Sequence, residues 1–227
     1  MERAPTHGAQ INVKPEIRAK LRLIDHLIAT QRLAEGDLLI SEFRLPNKKR
    51  RVDLALFTTS RAIAFEIKTE GDNLSRLSEQ VKDLSTHFDK VIVFCAHKHY
   101  NNAKKLVSKS IEIWSYNDKK TKLLQRGRSN IKNTKAIIEL LPKYERHTIK
   151  NRNDALNKIR KKFRKNIELF WKIRSQKKNC DLKDLISISR TPPKDQTKKT
   201  SDDLWTSIIE DQSSQSSSES ISDNSSS

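Results

Sequence analysis

Apolar positions along the chain follow two periods, and the switches between them outline the elements. From Glu16 to Leu33 the residues Ile17, Leu21, Ile24 and Ile28 recur at i, i+4, i+7 and i+11, the stripe of an amphipathic helix that Gly36 ends. Three strand-like runs follow, Leu38–Leu45, Arg50–Phe57 and Arg61–Lys68, parted by Pro46-Asn47-Lys48-Lys49 and by Thr58-Thr59-Ser60. They predict an antiparallel meander. Turn and N-cap chemistry at Gly71-Asp72-Asn73 opens a second helix with Leu74, Leu77, Val81, Leu84 and Phe88 on one face. Val91–Cys95 is apolar throughout, as a strand covered on both faces is. A short helix near Asn101–Val107 and a strand near Ile111–Tyr116 complete the pattern. The order α-β-β-β-α-β-α-β predicts an α/β fold, a mixed β-sheet flanked by helices.

Beyond about Lys143 the composition changes. Lys143 to Lys178 carries 14 basic residues against three acidic ones, yet Leu156, Ile159, Phe163, Ile167 and Phe170 keep helical spacing. This predicts a long basic helix with one apolar face. From Thr191 the chain turns Pro-, Lys- and Ser-rich, and ten of the last 15 residues are serine, too little apolar surface to fold alone. The expected organisation is a core over 1–142, a basic helical segment over 143–190 and a disordered Ser-rich tail over 191–227. Within that tail Ser201-Asp202-Asp203 is a helix-start pattern. Leu204, Trp205, Ile208 and Ile209 follow as a short apolar face, so 201–211 is a candidate docking segment for a protein partner.

Charge narrows the partner. The 227 residues include 46 Lys and Arg against 28 Asp and Glu, a net charge of +18, which points to a polyanion. No stretch approaches the about 18 apolar residues of a membrane span, and no basic start leads into an apolar run. A cytoplasmic protein that does not enter membranes is expected. Cys95 and Cys180 read as free thiols, and the histidines show no zinc-type spacing. Trp114, Tyr116, Phe163, Phe170 and Trp171 fit packing better than base stacking.

Register brings candidate chemistry together. If Thr59-Ser60 is a two-residue hairpin loop, residues whose numbers sum to 119 face each other, and Asp53 lies opposite Glu66. If Asn47-Lys48 closes the preceding hairpin, the sum is 95 and Glu42 lies opposite Asp53. Three carboxylates then line up on one face of three adjacent strands, with Lys68 two residues past Glu66 on the same face. Like charges opposite one another destabilise a sheet unless a cation sits between them, and Mg²⁺ or Mn²⁺ takes such oxygens.

Arg51-Val52-Asp53 and Phe65-Glu66-Ile67-Lys68, followed by Asp72, Leu74, Arg76-Leu77 and Gln80, resemble the PD-(D/E)XK nuclease superfamily, and within it proteins of the sce7726 type. The likeness runs from about Glu16 to Cys95, with Val52 in place of the family's proline. It implies a restriction-endonuclease-like core (αβββαβ). Asp53 and Glu66 would hold the metal, Lys68 would act on the attacking water or the transition-state charge, and Gln80 would support them. It also implies an upstream glutamate, for which the register favours Glu42 over Glu16.

The function expected is therefore Mg²⁺-dependent hydrolysis of phosphodiester bonds by an endodeoxyribonuclease, with DNA ahead of RNA as the partner. Arg76, Arg160, Lys161, Lys162, Arg164 and Lys165 are the candidate phosphate contacts. The alternative is a non-catalytic nucleic-acid-binding module using the same basic surface. Homodimerisation is left open.

Overall fold

The structure is a computed structural model that describes residues 13–45, 50–117, 119–175 and 177–189. The 46–49 loop, the tail over 191–227 and the 201–211 segment lie outside the described residues.

Helix α1 spans Pro15–Ala29, with proline in its first turn and Glu16 beside its positive end. It stops well before Gly36. Thr30 Oγ1 returns to the His26 carbonyl at 2.7 Å, and Gln31 takes a left-handed conformation, φ 54°, that lets Arg32 N–H reach the Leu27 carbonyl at 2.8 Å. Its buried flank is Ile17, Ala19, Lys20, Leu23, Ile24 and Leu27. This flank is rotated from the expected stripe: Leu21 is half-buried, and a lysine lies inside.

Strands β1 (Leu38–Arg44), β2 (Arg51–Phe57) and β3 (Ala62–Lys68) form the antiparallel meander. Both expected registers are present. Leu54 pairs with Phe65 and Ala55 with Ala64, sums of 119, while Ile40 pairs with Ala55 and Phe43 with Val52, sums of 95. Thr58 N–H donates to the Arg61 carbonyl at 2.9 Å, and Thr58 Oγ1 accepts from Ser60 and Arg61 N–H, closing the two-residue loop. Helix α2 (Leu77–His87) then leads to β4 (Lys90–Ala96), and α3 (Tyr100–Leu106) leads to β5 (Glu112–Tyr116). β4 runs parallel to β3 and β5 parallel to β4. An unforeseen strand β6 (Thr121–Gln125) pairs antiparallel with β5. The six-stranded mixed sheet, in the order β1 to β6, is flanked by helices on both faces, which makes the fold mixed α/β.

Two cores result. α2, α4 (Thr134–Ile138) and α5 (Arg152–Lys162) cover the first, with Leu77, Leu84, Ile137, Leu156 and Ile159 against Ala55, Ala64 and Val93. α1, α6 (Arg164–Arg174) and α7 (Leu182–Ser187) cover the second, with Leu23, Ile24, Phe170 and Ile188 among the residues packed with Leu54, Phe65 and Ile92. The expected long basic helix is thus two helices broken at Phe163, whose ring packs on Phe43 at 6.5 Å. The break has a packing reason. α5 buries its apolar face in the first core and α6 in the second, and a straight helix would leave one of them in water. α7 begins with a capping box between Asp181 and Asp184, and Ile188 C=O accepts from Ser41 N–H at 2.9 Å at the β1 edge.

Candidate functional site

The registers on either side bring Glu42, Asp53 and Glu66 near one another, but neither Glu42 and Asp53 nor Asp53 and Glu66 are backbone partners, and the three do not share a face. Leu38 and Ile40 on β1 and Ala55 and Phe57 on β2 line the first core, and so do Phe43, Leu45 and Val52, which strict alternation would send to the second. Both strands therefore lose one step of alternation at Glu42 and Asp53. On β1 the step falls at Glu42, a non-glycine residue at φ 55° within a strand.

Glu42 turns toward α1. Its Oε1 accepts from Lys20 Nζ, which also pairs with Glu16 Oε1 at 2.6 Å, and Arg51 Nη1 lies 3.9 Å from Glu42 Oε2. Glu66 and Lys68 keep the alternation, with Phe65 and Ile67 in the second core, and so belong to the face of Ala62 and Ala64. Their side chains form a buried ion pair at 2.8 Å. Asp53 stands between the two groups. Its Oδ2 accepts from Ile67 N–H at 2.6 Å, beyond the last rung of β2–β3 backbone pairing. Among the described residues, the carboxylates whose ligand atoms converge, within 4.8 Å of one another, are Glu16, Glu42 and Asp53, so Glu66, expected as a metal ligand, stands outside the group. Both acids weighed as the upstream one are present together.

Electrostatics follow from this crowding. Burial, followed by the charge of Glu66, pushes the Asp53 carboxyl well above the ordinary aspartate range, against the pull of Lys20 and with a further push from Glu42. Burial also raises Glu66, which Lys68 partly offsets. Burial works against the Lys20 charge, but Glu42, Glu16 and Asp53 outweigh it and hold the ammonium more tightly protonated than usual.

Lys20 was not legible in the sequence as part of the site. Its only signal is position: three residues after Ile17 and four before Ile24, on the flank that packs. Gln80 lies on α2 with its Oε1 buried and lacking a hydrogen-bond partner among the described residues, and Arg76 is exposed just before that helix. Asp72 closes the turn after β3, accepting from Thr69 N–H and Oγ1 at 2.5 and 2.6 Å. The basic segment separates by role. Arg160 Nη2 donates to the Gly36 carbonyl at 2.7 Å, Lys162 pairs with Glu145 at 2.6 Å and Arg164 with Glu168 at 3.1 Å, while Lys161 and Lys165 are exposed. Trp114 and Tyr116 pack as expected, the first buried and the second stacked on Phe94 at 4.5 Å. Phe170 is buried and Phe163 and Trp171 half-buried.

The profile of the family described as bacteriophage P4 protein cII matches residues 9–222, nearly the whole chain. The chain belongs to the bacteriophage P4 protein cII family. Protein cII of Enterobacteria phage P4 is 33% identical over 117 residues, which is 50% of this chain and 44% of that protein, so the chain spans less than half the length of this relative. A protein of unknown function from Silicibacter pomeroyi aligns structurally with a TM-score of 0.42 at 12% identity, over 53% of this chain and 76% of its own. Membership of the cII family corrects the resemblance to the PD-(D/E)XK superfamily and its sce7726-type proteins. That resemblance rested on three short motifs at hairpin spacing, and such a pattern is short enough to arise on unrelated meanders. What stays for this cII-family chain is the geometry itself. Among the described residues no helix is long and apolar enough to cross a membrane.

Proposed function

We propose that this chain is a metal-dependent nuclease that hydrolyses phosphodiester bonds, with DNA as its substrate in the cytoplasm. The observation that supports this reading most is the juxtaposition of carboxylates where α1 meets β1 and β2. The ligand atoms of Glu16, Glu42 and Asp53 lie within 4.8 Å, and the buried Glu66–Lys68 pair stands on the neighbouring strand. Carboxylates crowded beside one another in a chain of net charge +18 destabilise the fold unless a cation joins them.

Three hard oxygen donors suit Mg²⁺ or Mn²⁺, and Asp53, Glu42 and Glu16 would hold it. A bound divalent ion lowers the pKa of its water and offsets charge on the phosphoryl group. The chain's own residues supply the rest. Glu66 fixes the Lys68 ammonium at 2.8 Å, where it stands as a preorganised positive charge for a phosphate oxygen. Ile67 N–H orients the Asp53 carboxylate. Exposed Lys161, Arg164 and Lys165 would grip the backbone of the nucleic acid.

One observation favours a second reading, a nucleic-acid-binding module without chemistry: Lys20 already neutralises Glu16 and Glu42 internally. Labelled duplex, nicked, branched and single-stranded DNA incubated with Mg²⁺ or Mn²⁺ separates the two. Cleavage that disappears in Asp53→Asn and in Lys68→Ala, with DNA binding kept in the latter, supports the nuclease. Equal cleavage by the wild type and both variants removes this site from the account, and binding without cleavage on every substrate leaves the module.

A further inference from the structure

Lys20 is 3% exposed, although the carboxylates it meets open toward solvent, Glu16 with half of its side chain and Glu42 with 30%. A lysine is seldom placed below its acidic partners, because its long stem usually carries the ammonium out to water. Here the charged end pairs with Glu16 and Glu42, two of the three groups whose ligand atoms converge, Asp53 being the third. The seat is therefore already a cation seat, and a helix of this chain supplies its occupant.

We propose that Lys20 is the resident counter-cation of this cluster, and that a divalent ion bound by Glu16, Glu42 and Asp53 enters only by displacing its ammonium from the Glu16 and Glu42 oxygens. This rests on the reading of the three carboxylates as metal ligands, not on cleavage. The ammonium does two jobs. It removes the repulsion that the metal-free acids would otherwise impose on α1, β1 and β2. It also raises the threshold for loading, because metal and lysine compete for the same oxygens. The displaced stem has a short path out, since Glu16 is exposed at the helix start one turn away. Lys20 is thus a positioning residue that sets metal affinity.

The test measures Mn²⁺ binding to the full chain by calorimetry, for the wild type, Lys20→Met and Lys20→Arg. Methionine keeps the buried stem without charge, and arginine keeps a cation. Lys20→Met is expected to bind Mn²⁺ at least about ten-fold more tightly than wild type, the factor that about 1.4 kcal/mol represents. It should melt lower in chelator and gain more from added metal. Lys20→Arg should bind no more tightly than wild type. Amine acylation of the unaltered protein, read by mass spectrometry, gives an independent measure if Lys20→Met fails to fold. Lys20 is protected without metal and becomes several-fold more reactive in saturating Mn²⁺, while Lys90, paired with Glu112 at 2.7 Å, stays constant.

Equal or weaker Mn²⁺ affinity in Lys20→Met, unchanged acylation on metal saturation, or no binding by any of the three proteins overturns the proposal. The nuclease reading fails separately, when metal-loaded protein leaves every DNA uncut, and the Lys20 results stand in that event.

Discussion

A carboxylic acid crowded by other acids and withdrawn from water holds its proton more firmly than one on an unfolded chain. Asp53 and Glu66 are both raised for this reason, burial first in each case. In the unfolded chain they release their protons near pH 4, so above that value the folded state binds more protons than the unfolded one. The sign follows: in chelator, their contribution to stability is full below about pH 4 and is lost as pH rises through the raised folded values. Urea unfolding midpoints measured from about pH 5 to about pH 8 in chelator should fall with pH for the wild type and fall less for Asp53→Asn. At the upper end Asp53→Asn should be at least as stable as the wild type, since asparagine keeps an oxygen for Ile67 N–H, and it should gain less from added Mg²⁺. Parallel pH curves for the two proteins would show that Asp53 is not the strained group. At this scale the approach of Asp53 to β3 was legible, because hairpin spacing alone sets which stretches of two strands meet, but the shared face expected for Glu42, Asp53 and Glu66 was not. The sequence could not place Lys20 or Glu16 beside them, since that contact depends on how a helix docks on Glu42, which lies 22 positions after Lys20.

At the scale of elements, periodicity located what is long and regular and missed what is short or broken. The meander and both registers were legible because the residues between the strands left few ways to close each turn. The side-chain flip at Glu42 was not, because left-handed backbone in a strand is unexpected from glutamate and only the folded chain shows φ 55°. β6 and α4, of five residues each, give too few repeats to reveal a period. The break at Phe163 hides behind an apolar residue at correct helical spacing. The end of α1 has the same character: Gly36 looked like the stop, yet Gln31 occupies the left-handed position. Gln31 is exposed, so replacing it tests the backbone almost alone. Glycine removes the Cβ conflict there, at some cost in unfolded-chain entropy, and Gln31→Gly should stabilise the protein by about 0.5–1 kcal/mol. Gln31→Val should destabilise it, because a β-branched residue fits that conformation worst. A thermal melt in which Gln31→Gly falls below wild type would show that its side chain matters more than its backbone.

For the whole molecule, composition suggested a division near Lys143, and the cores cross that division. Ala155, Leu156 and Ile159 of α5 are buried in the first core, and Phe170 and Ile188 in the second. Arg152 pairs with buried Asp89, whose carboxylate also accepts from Ala62 N–H at 2.7 Å and Lys132 N–H at 2.6 Å. Asn166 Nδ2 donates to the Ser187 and Ser189 carbonyls at 2.9 and 2.8 Å, tying α6 to the strand-like end of α7 at the β1 edge. Exposed Lys161, Lys162, Arg164 and Lys165 therefore lie on the outward side of helices whose inward side completes the fold. Burial of each large apolar side chain is worth about 1.5–3 kcal/mol. Leu156, Ile159, Phe170 and Ile188 together thus weigh as much as the about 5–15 kcal/mol by which a domain is usually stable. A chain cut after Pro142 should lose them all and leave Asp89 buried without its arginine. Circular dichroism on heating should then show no cooperative transition for residues 1–142, whereas residues 1–190 should melt as one unit close to the full chain. A cooperative melt of 1–142 near the full-length temperature would mean that the basic helices are an appendage after all, and that the two cores close without them.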